Sequence, residues 1–373
     1  MKTNPLNRLE ALGQSIWLDY ISRDLFASGK LKKLISEDSL RGMTSNPTIF
    51  EKAISKSQDY NQDIKKMSHE GKNVVEIYEA LTQKDVLNAA DEFRDVYNKT
   101  NGQDGFVSLE VNPHLAHDTE GTIAEARRLW KALDRPNVLI KVPATKEGLP
   151  AIQQLISEGI NVNVTLLFGL SRYREVALAY IAGIKARIAE GKPVNQIASV
   201  ASFFLSRIDV LLDPLFEKYS VENSARGTLA KQIEGQIAIA SAKLAYQIYD
   251  ELFNSKSFMS LTEKGAHVQR LLWASTSTKN PKYSDIKYVE ALIGPLTVNT
   301  LPLETIEAYR DHGDPKLSLE LETDKASQFF KQLPELDINI DNVTQQLENE
   351  GVDKFIESYD QLIETLKKII VKE

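Results

Sequence analysis

The chain has 373 residues, 42% hydrophobic and 26% charged, with 45 Lys and Arg against 52 Asp and Glu and a formal charge of -7. These proportions suit a globular chain with a sizeable core, and the mixing of bases with acids leaves no basic patch for nucleic acid. The absence of cysteine excludes disulfides, thiolate metal sites and a cysteine nucleophile.

Met1 to Leu12 is polar, so no signal peptide is expected. No apolar run approaches the roughly 18 residues of a membrane helix, so no membrane partner is expected and the cytoplasm is the expected location. Short β-rich runs then alternate with helical patterns. The first is Ser15–Asp19 and the second Gly42–Ser45. Two helices are expected near Phe50–Met67 and Val74–Tyr97 before the third run, Gly105–Val111. A helix over Thr119–Leu133, capped by Asp118 or Thr119, leads to the fourth run, Val138–Pro143. A helix over Lys146–Ser157, closed by Gly159, precedes the fifth run, Val162–Leu167. A helix over Ser171–Glu190 precedes the sixth, Ile197–Phe204. Lys231–Phe253 carries one apolar stripe at helical spacing and is expected as one long helix. The seventh run is Arg270–Ser275, and a weaker eighth lies around Leu296–Asn299. Alternating strands and helices predict a parallel sheet, and its economical closure is a (β/α)8 TIM barrel. The charged tail from about 310 to 373 is expected as a C-terminal helical extension of the same single domain, with helices over Asp324–Gln332 and Val352–Val371.

Strands of a parallel barrel should be almost continuously apolar. Here Asp19, Glu110, Lys141, Asn163, Thr165, Ser202 and Ser275 interrupt them, mostly late in the strand. In such barrels the C-terminal strand ends form the active site. Lys141 is flanked by apolar residues, a setting that favours the free amine a Schiff-base nucleophile needs. The plainer reading is an ion pair with Glu110 or Asp19. Those two acids could divide the proton transfers of an aldol cleavage, or simply cap helices. Asn46 before Pro47 reads as a helix N-cap, with room for a second role if the backbone does the capping and the side chain faces a pocket. Arg207, just past the sixth strand, suits a phosphate, or a salt bridge to Asp209 or Asp213. His114 and His117 have no third ligand near in sequence, so no metal site is expected.

These motifs together resemble the transaldolases, from about Leu12 to about Tyr309 and in matching order. The carrying segments are Thr44–Thr48, Val107–Val111, Leu139–Gly148 and Gly159–Phe168. The length resembles the longer transaldolase subfamily. The resemblance implies a class I aldolase barrel that needs no cofactor and acts on sugar phosphates as a monomer or homodimer. It makes Lys141 the Schiff-base residue and Asp19 the acid acting on the substrate hydroxyl. Glu110 then works through a water that Thr165 helps hold. Asn46 and Asn163 orient a dihydroxyacetone unit, Ser202 and Ser275 touch substrate, and Arg207 binds phosphate. One departure stands out. Where shorter relatives carry a second phosphate-binding arginine, this chain has Ser277, which leaves Lys279 to supply the charge. The competing readings are a fructose-6-phosphate aldolase, which uses an amide where Glu110 stands, and a non-catalytic sugar-phosphate binder. Glu110 with Phe204 at the aromatic position favours transfer.

Overall fold

The computed structural model describes residues 4–371. Eight parallel strands close on themselves: β1 (Gln14–Asp19), β2 (Leu40–Thr44), β3 (Phe106–Glu110), β4 (Val138–Pro143), β5 (Val162–Leu167), β6 (Ser199–Phe204), β7 (Arg270–Ala274) and β8 (Thr297–Leu301). Each pairs with its sequence neighbour, and β8 returns to pair with β1. Helices surround the sheet, so the expected (β/α)8 barrel is present. Buried Trp17, Trp273, Phe203 and Leu139 belong to the core that packs the strands. Among the described residues no helix is long and apolar enough to cross a membrane.

Register decides the site. Glu110 stands opposite Lys141, and Lys141 opposite Asn163. Asp19 stands opposite Thr44 at the same end of the barrel. The five strand ends therefore deliver their polar residues to one rim.

Where expectation and structure differ, a local cause is visible. β2 begins at Leu40 because Arg41, polar in the sequence, turns outward to grip Glu10 with two hydrogen bonds of 2.6 and 2.7 Å. β8 starts after Leu296, whose φ of 56° is left-handed. The expected helix at 50–67 is two, Pro47–Lys56 and Asn61–His69. Between them Tyr60 is buried, its hydroxyl donating to Asp85 at 2.7 Å. The second expected helix breaks at buried Phe93 into Val74–Glu92 and Arg94–Lys99. The long helix expected at 231–253 splits into Ala225–Ile233 and Ile237–Phe253, because Gly235 takes a φ of +69°, which no helix interior adopts. Asp118, not Thr119, caps helix Thr119–Leu133, accepting from Gly121 N at 3.0 Å.

The tail differs most. Its last helix is not confined to 352–371 but runs unbroken over Ile340–Val371, passing straight through Gly351. Glycine ordinarily weakens a helix interior by about 0.5–1 kcal/mol. Here it permits close approach: a Cβ at Gly351 would lie 3.0 Å from Leu166 Cδ2 and 3.3 Å from Arg207 Nη1. The helix thus lies directly on the end of β5. Replacing Gly351 with Leu forces it off that contact. Gly351→Leu is expected to lower the unfolding free energy by about 1–3 kcal/mol in urea denaturation, as overpacked interiors do. An unchanged midpoint would refute the close contact.

Candidate active site

A cavity of ≈ 790 Å³ opens at the C-terminal ends of the strands. Of the residues singled out from the sequence, Asp19, Asn46, Lys141, Thr165, Ser202, Arg207, Ser275 and Lys279 line it. Glu110 and Asn163 lie behind that lining, and each touches a residue that forms it.

Lys141 is buried at 4% exposure in the floor. Its Nζ lies 3.2 Å from Glu110 Oε2 and donates a hydrogen bond to the Ser45 carbonyl at 3.0 Å. The flanking strand residues are apolar, but the amine itself meets a carboxylate and a carbonyl. Ser45 belongs to the turn between β2 and helix Pro47–Lys56, which its own hydroxyl ties to the Ser108 carbonyl at 2.7 Å. The apolar surroundings and the ion pair with Glu110, set against each other in the sequence, are therefore both present.

Asp19 accepts from the Thr44 hydroxyl at 2.9 Å. Burial pushes its carboxyl above the usual carboxylate range, against the opposing pull of Lys141 and that hydroxyl. Burial likewise raises Glu110, with Lys141 pulling the other way. Glu110 Oε2, despite its nearness to the amine, has no hydrogen-bond partner in good geometry, and neither does the buried Thr165 Oγ1. Two buried oxygens, that of Glu110 beside the amine and that of Thr165 in the cavity lining, are thus open to a further group. Thr165 sits at a bulge of β5: the pairing with β6 slips between Val164 and Leu167, and Leu166 takes a φ of 56°. Ser275, at the end of β7, also takes a left-handed φ, of 53°. Strained backbone of this kind gathers at functional strand ends.

Asn46 caps helix Pro47–Lys56 with its side chain rather than its backbone: Oδ1 accepts from Ile49 N at 2.9 Å. Asn163 is fully buried. Its Nδ2 donates to Ser108 Oγ at 2.9 Å, and its Oδ1 accepts from Ser202 Oγ at 2.7 Å. It reaches the cavity through Ser202.

Arg207 makes no ion pair among the described residues. The acids weighed as its partners are engaged elsewhere. Asp209 accepts from Ala238 N, Lys287 and Tyr288. Asp213 accepts from Gly235 N and Tyr283, both at 2.8 Å. Arg207 instead stacks over Phe204, 5.4 Å from the ring centroid, and burial pulls its guanidinium below its ordinary range. Glu350 and Asp19, which line the same cavity, pull the other way. A partly desolvated guanidinium without an ion pair on a cavity wall suits an anion. The exposed Lys279 donates to Ser277 Oγ at 2.6 Å, which places both residues of the departing segment together at the rim.

The sequence reading missed the roof. Leu347, Glu350, Lys354 and Phe355 of helix Ile340–Val371 line the cavity, as do Lys52 and Glu304. Spacings of three and four residues put 347, 350 and 354 on one helical face, and 355, eight residues after 347, flanks it. Glu350 and Lys354 break the apolar stripe that would have marked that face. Among the described residues no cluster of three or more metal-ligating side chains occurs. His114 and His117 instead pair with Asp360 at 2.8 Å and Glu147 at 3.2 Å.

Residues 16–366 match the family described as Transaldolase/Fructose-6-phosphate aldolase. The chain belongs to that family. A transaldolase of Trichodesmium erythraeum is 50% identical, over 100% of this chain and 99% of that one. A "Transaldolase 2" of Nostoc punctiforme is 46% identical over 98% of both chains. A transaldolase of Saccharopolyspora erythraea is 47% identical over 99% of this chain and 98% of its own.

Asp213, six residues past Arg207 and outside the cavity lining, carries a pH signature of its own. Burial, helped by the charge of Asp209, pushes Asp213 from 3.8 up to about 6. The folded chain therefore holds this proton more tightly than the unfolded one. Stability is lost as the pH rises from about 4 through about 6, by on the order of 1–2 kcal/mol once solvent screening is allowed for. Asp213→Asn is expected to remove that loss, so the variant gains on wild type between about pH 4 and 7 in urea melts. Parallel pH profiles would refute the assignment.

Proposed function

We propose that Lys141 forms a Schiff base with a ketose phosphate, and that the protein transfers the resulting dihydroxyacetone unit to an aldose phosphate. The supporting observation is the juxtaposition of the buried Lys141 amine, Glu110 at 3.2 Å, and Asp19 on the same rim.

The Lys141 amine attacks C2 of fructose 6-phosphate or sedoheptulose 7-phosphate. Glu110, whose carboxyl burial favours in the protonated form, exchanges protons through a water held also by Thr165 as the carbinolamine loses water. The protonated imine then draws electrons from the C3–C4 bond. Asp19 takes the proton of the C4 hydroxyl as that bond breaks, and the aldose phosphate leaves. The enamine left on Lys141 adds to erythrose 4-phosphate or glyceraldehyde 3-phosphate. Ser202, Ser275 and the free end of Asn46 contact the three-carbon unit, with Asn163 orienting Ser202. Arg207 binds the phosphate, and Lys279 adds a point charge without the arginine fork. The enzyme acts in the cytoplasm as a monomer or homodimer.

The test is borohydride reduction in the presence of fructose 6-phosphate, followed by peptide mapping. A dihydroxyacetone-sized adduct on Lys141, absent in Lys141→Ala, is expected. Adding erythrose 4-phosphate should yield sedoheptulose 7-phosphate. An adduct without transfer would make the protein an aldolase, and no adduct would leave a sugar-phosphate binder. Arg207→Ala should raise KM for fructose 6-phosphate by about 10–100-fold with a smaller effect on adduct yield at saturation, the cost of a lost charge-assisted contact. An unchanged KM would move the phosphate elsewhere.

A further inference from the structure

Helix Ile340–Val371 forms one wall of the cavity, and it is pinned on both sides of that wall. Arg172 holds Glu348 at 3.3 Å, and Thr48 holds Ser358 at 2.7 Å. His114 holds Asp360 at 2.8 Å. Between the pins the helix lowers Phe355 onto the active-site floor. The ring is 3% exposed, and its centroid lies 5.9 Å from Lys141 Nζ. Nothing in the chemistry of imine formation requires an aromatic ring there. The enamine stage does.

The enamine on Lys141 has two fates. Its C3 can attack an aldehyde carbon, forming a C–C bond while the aldehyde oxygen takes a proton. Alternatively, C3 takes a proton from water and a second water attacks C2, releasing dihydroxyacetone and restoring the amine. Both fates balance. Transfer also ends on an imine, which water at C2 must hydrolyse to free the product, so both fates use a water there. Only release needs C3 to take a proton from water before an aldehyde arrives, and a phenyl ring covering that side of the enamine leaves C3 no such donor. Removing the ring would leave room for about two or three waters, at roughly 30 Å³ each.

We propose that Phe355 is a specificity-determining residue: by covering the enamine formed on Lys141 it keeps water from protonating C3 and sets the ratio of transfer to dihydroxyacetone release. The inference rests on the Lys141 reading above and deepens it. The helix supplies what the barrel alone lacks, an apolar cover on the nucleophile.

The experiment uses the full chain with Phe355→Ala and Phe355→Leu. Dihydroxyacetone release from fructose 6-phosphate without acceptor is compared with transfer to erythrose 4-phosphate, and the borohydride adduct is measured in each protein. Phe355→Ala should raise the release-to-transfer ratio by about tenfold, the change that a barrier difference near 1.4 kcal/mol gives. Phe355→Leu, which refills much of the space and guards against misfolding of the alanine variant, should raise it less. Adduct yield should stay the same. A normal adduct with an unchanged ratio in both variants overturns the inference and leaves the Lys141 reading intact. Wild-type protein with no adduct on Lys141 removes both.

Discussion

The site depends on keeping an amine inside a protein. Lys141 is 4% exposed, and an isolated ammonium at that depth would cost several kcal/mol. Glu110 and the Ser45 carbonyl offset that cost from two directions. Each is placed by barrel closure: Glu110 by the register of β3 with β4, and Ser45 by the turn after β2, whose hydroxyl is tied back to β3. Loosening any of these strands would leave a buried charge without its partner. The same burial raises the carboxyl of Glu110, so the group that compensates the lysine can also carry a proton. Stability and chemistry draw on one pair.

Around that pair the rim is divided by function. Asp19 and Thr44 stand on one side, and Asn163 and Ser202, bonded to each other, on the other. Among the described residues Arg207 makes no ion pair, Asp209 and Asp213 being taken by backbone amides, Tyr283, Tyr288 and Lys287, while Glu350 and Asp19 act on it only at longer range. That diversion keeps the guanidinium available for an anion. It also ties the helix bearing Arg207 to the segment that carries Lys279.

The strands were legible because β-branched and apolar runs flanked by helical patterns have few alternatives, and the polar interruptions late in those runs marked the rim. Helix breaks were harder to read. Tyr60, Phe93 and Gly235 interrupt helices through burial or left-handed backbone, and neither leaves a periodic trace. At the C-terminus the difference runs the opposite way: the helix expected from Val352 is continuous through Gly351, the point where it meets β5 and Arg207. At Asn46 the cap signal was legible, but which of its atoms did the capping was not.

Residue order alone determined the alternation of strands and helices, the lysine on the fourth strand, the acids on the first and third, and the likeness to a family of Schiff-base enzymes. These are local patterns, and periodicity and motif spacing record them. Tertiary structure decided which groups meet: Glu110 against Lys141, Ser45 beneath it, Arg207 over Phe204 with no ion pair among the described residues, and the C-terminal helix as a wall of the cavity. Those contacts join residues up to hundreds of positions apart. They follow from strand register and from one close helix approach, neither of which any short stretch of sequence encodes.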